Sequence, residues 1–209
     1  MATKVWLVSH AANADLRAGV LAAARGDDGS VAGALDTLNA LDARAKAAVE
    51  AWRTRWYATV TENGDVAPAL ASPAPIALAS AHAAGFDTAI EDALADTAFG
   101  AWTGRRLNDI ANETPEALAA WTRDPAFRPP GGGESFDDVR QRVSAWLDAL
   151  PADTHAPIVA FTHASVIRAA VLHALGAPSS TFRQLEIAPL SVTALRRNAN
   201  GWLWIAATP

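Results

Sequence analysis

Two short runs of apolar, β-forming residues each end in a histidine. The first run is Lys4–Val8 (KVWLV), which leads through a serine into His10. The second is Pro157–Thr162 (PIVAFT), which leads directly into His163. Continuous apolar runs of this length are typical of strands that are buried on both faces of a sheet. The pattern therefore predicts two buried strands, each delivering a histidine to its carboxyl end.

Segments with helical periodicity lie between these two strands and the other predicted strands along the chain. A Ser-x-x-Asp capping signature at Ser135 opens one helix, and a helix that follows His163 is closed by Gly176. The further predicted elements are an Ala-rich helical stretch broken at Gly26–Ser30, a helix from Leu41 to Trp56, a strand at Val66–Ala71, a helix at Ala77–Gly85, a helix from Ser135 to Leu150, a helix at Ala164–Leu175, and a hairpin of Ser191–Arg196 with Trp202–Ala206.

A segment rich in Pro, Gly, Arg and Trp interrupts this alternation at about residues 101–134, and we call it the excursion. One short helix is predicted within it, with Thr114 as N-cap and Pro115 in its first turn. Trp102 and Trp121 are the tryptophans we expect near a cleft. The excursion is expected to lie over the site that the strand ends form.

Strands that alternate with helices predict an α/β fold with a mostly parallel sheet covered on both faces. The chain has 209 residues, of which 51% are hydrophobic and 19% charged, so it has enough apolar side chains for a large core. We expect one domain that spans residues 1–209.

Charge and cysteine usage exclude several classes of function. The formal net charge is −5, and Lys and Arg are not clustered, so we expect neither nucleic acid nor a membrane as a partner. The absence of cysteine removes disulfides, thiol chemistry and thiolate metal sites. The chain starts with a predicted strand rather than a signal peptide, and a cytoplasmic location is the resulting expectation.

The two histidines are candidate site residues because ligands of open α/β sheets bind outside the carboxyl ends of the strands. His163 also directly precedes the helix that begins at Ala164, where free N–H groups and the helix dipole favour an anion. From these positions alone, the alternative that both are core histidines capping their strands is equally open.

Four segments in register resemble the histidine phosphatase (phosphoglycerate mutase-like) superfamily. LVSHAAN is similar to the family's Arg-His-Gly strand and loop, and ALASPAPIALASAHAAG to its Ser-Pro-x-x-Arg-Ala segment. LADTAFGAWTGRRLNDI resembles the stretch with the family's acid. PPGGGESFDDVRQRV followed by VAFTHASVIRAAVLHALG resembles its Gly-Gly-Glu-Ser helix start and second-histidine segment. The resemblance implies a phosphoglycerate mutase-like, three-layer α/β/α sandwich with a mixed, mostly parallel sheet.

The resemblance also implies roles for matching residues in phosphoryl transfer through a phosphohistidine. His10 takes the position of the nucleophile, and His163 that of the second histidine, which contacts the transferring phosphoryl group. Asp96 matches the glutamate that protonates the leaving group, and it is one methylene shorter. Ala164, which follows the second histidine, is counted among the substrate-binding positions.

The departures from the family pattern concern phosphate binding. Ser9 and Ile76 stand where the family has arginines, whose forked donors bind phosphate bidentately. Arg17, Arg105, Arg106 and Arg128 are candidates for a replacement cation, and we count Arg17 with Ser9 and Ile76 among the substrate-binding positions.

Two functions remain open at this stage. One is a phosphomonoester hydrolase with a degenerate phosphate pocket and weak, altered or absent activity. The other is a non-catalytic pseudoenzyme that binds a small ligand, a phosphomonoester or another anion, or a protein partner in the old cleft. His10, His163 and Asp96 would also make a two-histidine, one-carboxylate set, but no tight ligand spacing is present, so no metal or cofactor is expected. The sequence does not predict an oligomeric state.

Overall fold

The computed structural model describes residues 2–25, 40–62 and 69–209. Two predicted features fall partly or wholly outside these ranges. The predicted break at Gly26–Ser30 lies outside them, and so do residues 66–68 of the predicted strand Val66–Ala71. Ala69–Ala71, the rest of that predicted strand, is a strand in the structure.

Six strands of the described residues form one mixed sheet with the order β3-β2-β4-β1-β5-β6. Strands β1 to β4 pair in parallel, whereas β5 runs antiparallel to β1 and β6 antiparallel to β5. Their bounds are β1 Lys4–Ser9, β2 Ala69–Ala71, β3 Thr88–Ile90, β4 Ile158–Thr162, β5 Val192–Asn198 and β6 Gly201–Ile205. The predicted hairpin at the sheet edge is confirmed, but β3 was not predicted.

Helices cover both faces of this sheet, and the side chains of β1 show how the faces divide. Trp6 and Val8 belong to a core cluster with helix residues Val49 and Trp52 on one face. Leu7, on the alternate position of the strand, belongs to a second cluster on the other face. The helices are α1 Ala14–Arg17, α2 Ala43–Val60, α3 Pro75–Ala83, α4 Leu107–Glu113, α5 Pro115–Arg123, α6 Phe136–Ala149 and α7 Ala164–Leu175. The predicted three-layer α/β/α fold is confirmed.

Local capping signals fix the ends of α6 and α7 as predicted. The Ser135 hydroxyl accepts from the Asp138 N–H, and the Asp138 carboxylate accepts from the Ser135 N–H, which completes a capping box. Gly176 ends α7 in the left-handed conformation, with φ of 62°. Thr114 behaves differently from the prediction, because its hydroxyl donates to the Ile110 carbonyl and does not cap α5.

The excursion contains more helix than the sequence predicts. It holds both α4 and α5 rather than one short helix, because the polar residues of α4 hide its single buried anchor, Ile110. Trp102 and Ile110 pack with Leu21 and Phe99 in a small cluster of their own. Trp102 is a buried core residue of the excursion and packs against Trp121, with the two ring centroids 6.0 Å apart.

No helix among the described residues is long and apolar enough to cross a membrane.

The glycine-rich stretch that precedes α6 packs closely on the start of the excursion. Gly100 has a φ of 56°, and a Cβ at this position would lie 2.3 Å from the Pro130 carbonyl oxygen. Gly104 has a similar φ of 77°, but a Cβ there would have no atom within 4 Å. The two glycines thus share a left-handed backbone and differ in the space around them.

We expect Gly100→Ala to lower the free energy of unfolding by about 2–4 kcal/mol, because left-handed strain and a backbone clash add. Gly104→Ala is the matched control and should cost about 1 kcal/mol from the strain alone. Urea unfolding followed by circular dichroism measures both losses. Equal losses in the two variants would show that the close contact with Pro130 does not constrain the fold.

Candidate active site

The parallel pairing of β1 with β4 brings the two predicted histidines together. Ser9 lies opposite Thr162 in the register, and the His10 N–H donates to the Thr162 carbonyl at 2.9 Å. The imidazole centroids of His10 and His163 are 4.8 Å apart, with an angle of 62° between the ring planes. The two imidazoles are thus close enough to contribute to one site at the strand ends, as the predicted shared site requires.

The local geometry of His10 fixes which nitrogen of its ring is free. Its Nδ1 lies 2.8 Å from the Ala11 carbonyl oxygen. Because a carbonyl oxygen only accepts, Nδ1 carries the proton and Nε2 of the neutral ring keeps a lone pair. Burial, followed by the neighbouring His163, lowers the pKa of His10 to about 4. At neutral pH His10 is therefore a neutral imidazole with an available nucleophilic nitrogen.

Ser80, on α3, holds the loop that carries His10. Its hydroxyl accepts from the Ala11 N–H at 3.0 Å and donates to the Ile76 carbonyl at 2.7 Å. Both bonds are buried. The Ala11 N–H is therefore occupied within the protein and is not a free donor for an anion.

His163 is bound by side chains at both ring nitrogens. Its Nε2 lies 2.8 Å from the Ser72 hydroxyl, which also accepts from the Ala74 N–H. Its Nδ1 lies 3.2 Å from the Asp96 carboxylate, in an ion-pair contact without the alignment of a hydrogen bond. With both nitrogens engaged and only 3% of the residue exposed, the orientation of His163 is fixed.

The Asp96 carboxylate is stabilised in its ionised form. One oxygen accepts from the Thr97 N–H at 2.8 Å and from the Ser165 hydroxyl at 2.7 Å. Burial raises the pKa of Asp96, but the ion-pair contact with His163 and the hydrogen bonds from Ser165 and Thr97 outweigh it, so the pKa lies well below its usual range. In this arrangement Asp96 accepts hydrogen bonds and holds no proton to donate.

An arginine clamp positions the segment that carries Asp96. Arg142, on α6, donates to the carbonyls of Ala93 and Ala95, and it forms an ion pair with Glu134 at 2.9 Å. The Glu134 carboxylate in turn accepts from the Ala98 N–H at 3.2 Å. The predicted helix-start residue Glu134 is thus a support for the site rather than a group that lines it.

The two positions where the sequence lacks an arginine are both turned into the protein. Ser9 is 4% exposed, and its N–H donates to the Ser191 carbonyl at 3.1 Å. Ile76 is 8% exposed and packs in the core cluster that includes Val8 and Trp52. Neither side chain supplies a charge or a hydrogen-bond donor to an anion beside His10.

Three of the four predicted replacement cations are engaged with carboxylates, whereas Arg106 is exposed and forms no ion pair with the described residues. Arg17 donates to the Ala12 carbonyl and forms an ion pair with Asp42. The remaining pairs are Arg105 with Glu113 and Arg128 with Asp138. These contacts draw the three guanidinium groups to partners of their own, which the sequence spacing did not reveal.

Ala164 keeps the position expected from the sequence. It is the first residue of α7, and the preceding His163 makes no side-chain cap on that helix. The first turn of a helix leaves N–H groups without intrahelical partners. The backbone at Ala164 is therefore a potential anion contact next to the histidine pair.

Two serines of the site were missed as functional residues in the sequence. Ser72 orients His163 from the end of β2, and Ser165 holds Asp96 from the first turn of α7. The available signal was position: each lies at the end of a strand or the start of a helix beside a candidate residue. Among the described residues, no group of three or more His, Cys, Asp or Glu side chains is arranged to hold a metal ion.

The chain is similar to proteins of known structure and sequence. The superposition on the alpha-ribazole phosphatase of Shigella flexneri includes 99% of this chain and 96% of that protein, with a TM-score of 0.73 and 18% sequence identity. The superposition on the TTHB049 protein of Thermus thermophilus includes 99% of this chain and 99% of that protein, with a TM-score of 0.65 and 26% sequence identity.

A curated relative matches over a shorter stretch. The bifunctional protein Rv2228c of Mycobacterium tuberculosis is 32% identical over 140 residues, which make up 64% of this chain and 38% of the relative. The match thus spans well under half the length of that relative. Residues 40–207 match the family model of the histidine phosphatase superfamily (branch 1). The chain therefore belongs to the histidine phosphatase superfamily, as the four resembling segments of its sequence implied.

Proposed function

We propose that this protein hydrolyses phosphomonoesters through a phosphohistidine at His10, slowly and with an altered choice of substrate. The observation that carries the proposal is the state of His10: a neutral ring whose Nδ1 proton is held by the Ala11 carbonyl, which leaves Nε2 free. The alpha-ribazole phosphatase name of the Shigella flexneri structure agrees with phosphomonoesters as the substrate class.

The chemistry runs in two displacements at phosphorus. His10 Nε2 attacks, the P–N bond forms, and the P–O bond to the leaving alcohol breaks with its electron pair. Water then attacks the phosphohistidine, the P–N bond breaks, and inorganic phosphate leaves. His163 lies with its centroid 4.8 Å from the nucleophile ring and would contact the transferring group.

The low rate follows from what surrounds the nucleophile. Each preorganised electrostatic contact in an active site is worth about 10²–10³ in rate. Ser9 and Ile76 stand at the positions of two such contacts, and Arg17 is paired with Asp42. The remaining donors for the phosphoryl oxygens are backbone N–H groups at the start of α7, because both ring nitrogens of His163 are engaged by Ser72 and Asp96.

The altered choice of substrate follows from Asp96. A carboxylate that is held ionised cannot protonate a leaving alkoxide, and a general acid is worth about 10²–10⁴ in rate. Esters whose leaving groups are stable as anions do not need that proton. The site should therefore favour aryl phosphates over alkyl phosphates.

The second candidate function is that of a non-catalytic member that binds a small ligand. The observation in its favour is the burial of Ile76, because an apolar side chain at the family's arginine position removes charge and adds packing there. In that case the histidine pair would be structural, and the protein would show no turnover that depends on His10.

We expect wild-type protein to release phosphate from p-nitrophenyl phosphate at least about 10²-fold faster than from alkyl phosphates, since Asp96 is held ionised and offers no proton to the leaving group. His10→Ala should abolish release from both, because the nucleophile is lost. A malachite green assay on a panel of phosphomonoesters measures these rates.

His82→Ala is the matched control for that experiment, because His82 is an exposed histidine on α3 and the variant should keep wild-type activity. Release that persists in His10→Ala would refute the phosphohistidine. Absence of release from every ester in wild type would favour the ligand-binding function.

The neutral state of His10 also predicts a pH dependence of stability that needs no turnover. The pKa of His10 is lowered from 6.5 in the unfolded chain to about 4 in the fold. Between these values the unfolded chain binds a proton that the folded protein does not, so stability is lost as pH falls from 6.5 towards 4. From pH 7.5 to pH 4.5, we expect the unfolding free energy of wild type to fall by about 1–2 kcal/mol more than that of His10→Asn.

Urea unfolding at the two pH values measures this difference, and His82→Asn controls for the loss of an imidazole as such. A difference between wild type and His10→Asn that stays constant with pH would mean that His10 is not held neutral by the fold.

A further inference from the structure

A cleft opens beside Asp96, between the excursion and α7, and it shares only Thr97 and Ser165 with the candidate active site. It is an open cleft that holds about 450 Å³ of empty space, a volume that includes open solvent. Its lining residues are Thr97, Trp121, Asp124, Phe127, Phe136, Ser165, Arg168, Phe182 and Arg183. Neither His10 nor His163 lines it, so the cleft is distinct from the histidine pair.

Two arginines supply the positive charge of the cleft. The Arg168 Nε donates to the Leu185 carbonyl at 2.8 Å, which fixes the side chain and leaves its terminal nitrogens available. The Arg183 guanidinium lies 5.0 Å from the centroid of the Trp121 ring and 5.3 Å from that of Phe182. In the part of the chain that the structure describes, neither arginine has a carboxylate within ion-pair distance.

The two guanidinium groups act on each other. Burial, followed by the charge of Arg183, lowers the pKa of Arg168, and the opposite charges of Asp96 and Glu186 only partly compensate. Burial also lowers the pKa of Arg183. Holding two like charges in a half-buried cleft is unfavourable, and an anion placed against both would relieve the repulsion.

The acidic groups nearby do not neutralise this pair. Asp124 lies in an exposed part of the lining and accepts from the Ala126 N–H at 2.9 Å. The Asp96 carboxylate is directed to His163, Ser165 and Thr97. The cleft therefore keeps a net positive interior behind one exposed carboxylate.

Aromatic rings make up the rest of the wall, and they hold one another in place. Phe136 and Phe182 stack at 4.8 Å with 25° between their planes. Trp121 meets Trp102 edge to face at 6.0 Å, and Trp102 is buried. Rings fixed in this way form a rigid apolar wall, which favours a planar apolar group over a flexible chain.

From these contacts we propose that the cleft binds a small aromatic anion, with its carboxylate or phosphoryl group on Arg168 and Arg183 and its ring against Trp121 and Phe182. Two guanidinium groups suit either acid, because both present oxygens to forked donors. The proposal does not depend on turnover at His10.

Phenylphosphonate and benzoate are suitable probes, because each joins a ring to an anion and neither has a phosphoester bond to hydrolyse. Isothermal titration calorimetry on the full chain should show both binding. Arg183→Gln should weaken binding of both about 10–100-fold, the usual loss for a hydrogen bond to a charged group. Arg168→Gln should weaken binding of both probes by a similar factor. Because this variant also loses the hydrogen bond to the Leu185 carbonyl, a weaker affinity could reflect a change in local structure. Arg183 makes no such bond, so its variant carries the test.

The controls separate this site from the histidine pair. Arg196→Gln removes an arginine of β5, near the opposite end of the sheet, and it should bind as wild type does. His10→Ala should also bind both probes normally. Binding lost in His10→Ala but kept in Arg183→Gln would overturn the proposal and place the anion at the histidines.

Two simpler probes test the two parts of the ligand separately. Benzyl alcohol has the ring without the charge, and inorganic phosphate has the charge without the ring. Each should bind at least about 10-fold more weakly than phenylphosphonate. Equal affinity of either simple probe and phenylphosphonate would overturn the proposal of a combined aromatic and anionic site, and so would a failure of both aromatic anions to bind.

Discussion

The parallel pairing of β1 with β4 is the constraint on which the candidate site depends. The register sets Ser9 against Thr162, and the next residue of each strand is then a histidine at the same sheet edge. A shift of one residue would turn every side chain of the strand to the opposite face and separate the rings. The core enforces the register, because alternate residues of β1 fill different clusters on the two faces. The hydrophobic pattern that specifies the fold therefore also specifies the distance between the two imidazoles.

Electrostatics within the site are balanced without a ligand. A buried carboxylate needs a cation or several hydrogen bonds, and Asp96 obtains both from His163, Ser165 and Thr97. A site built for a phosphoryl dianion needs excess positive charge while empty. Here the arginine positions hold Ser9 and Ile76, and the nearby Arg17 is paired with Asp42. The charges around the histidine pair thus have partners within the protein, which is the reason why we propose slow turnover there.

Sequence alone predicted the parts that local patterns determine. The second histidine strand and its helix were found because an apolar run, a helical period and Gly176 agree on one answer. Strand β3 was missed because its three residues are mostly exposed and form an edge, which leaves no hydrophobic signal. The ionised state of Asp96 was not predictable either, since it depends on Ser165, which lies 69 residues away in sequence.

Ser165 connects the two regions of the molecule that carry chemistry. Its hydroxyl donates to Asp96, and its side chain also lines the cleft with Arg168 and Arg183. A ligand that drew this hydroxyl towards the arginines would remove one of the bonds that keep the pKa of Asp96 low. The carboxylate would then bind a proton more readily and become a better acid for the leaving group at His10. The short path through one serine is thus a physical route by which occupancy of the cleft would change the chemistry at the histidines.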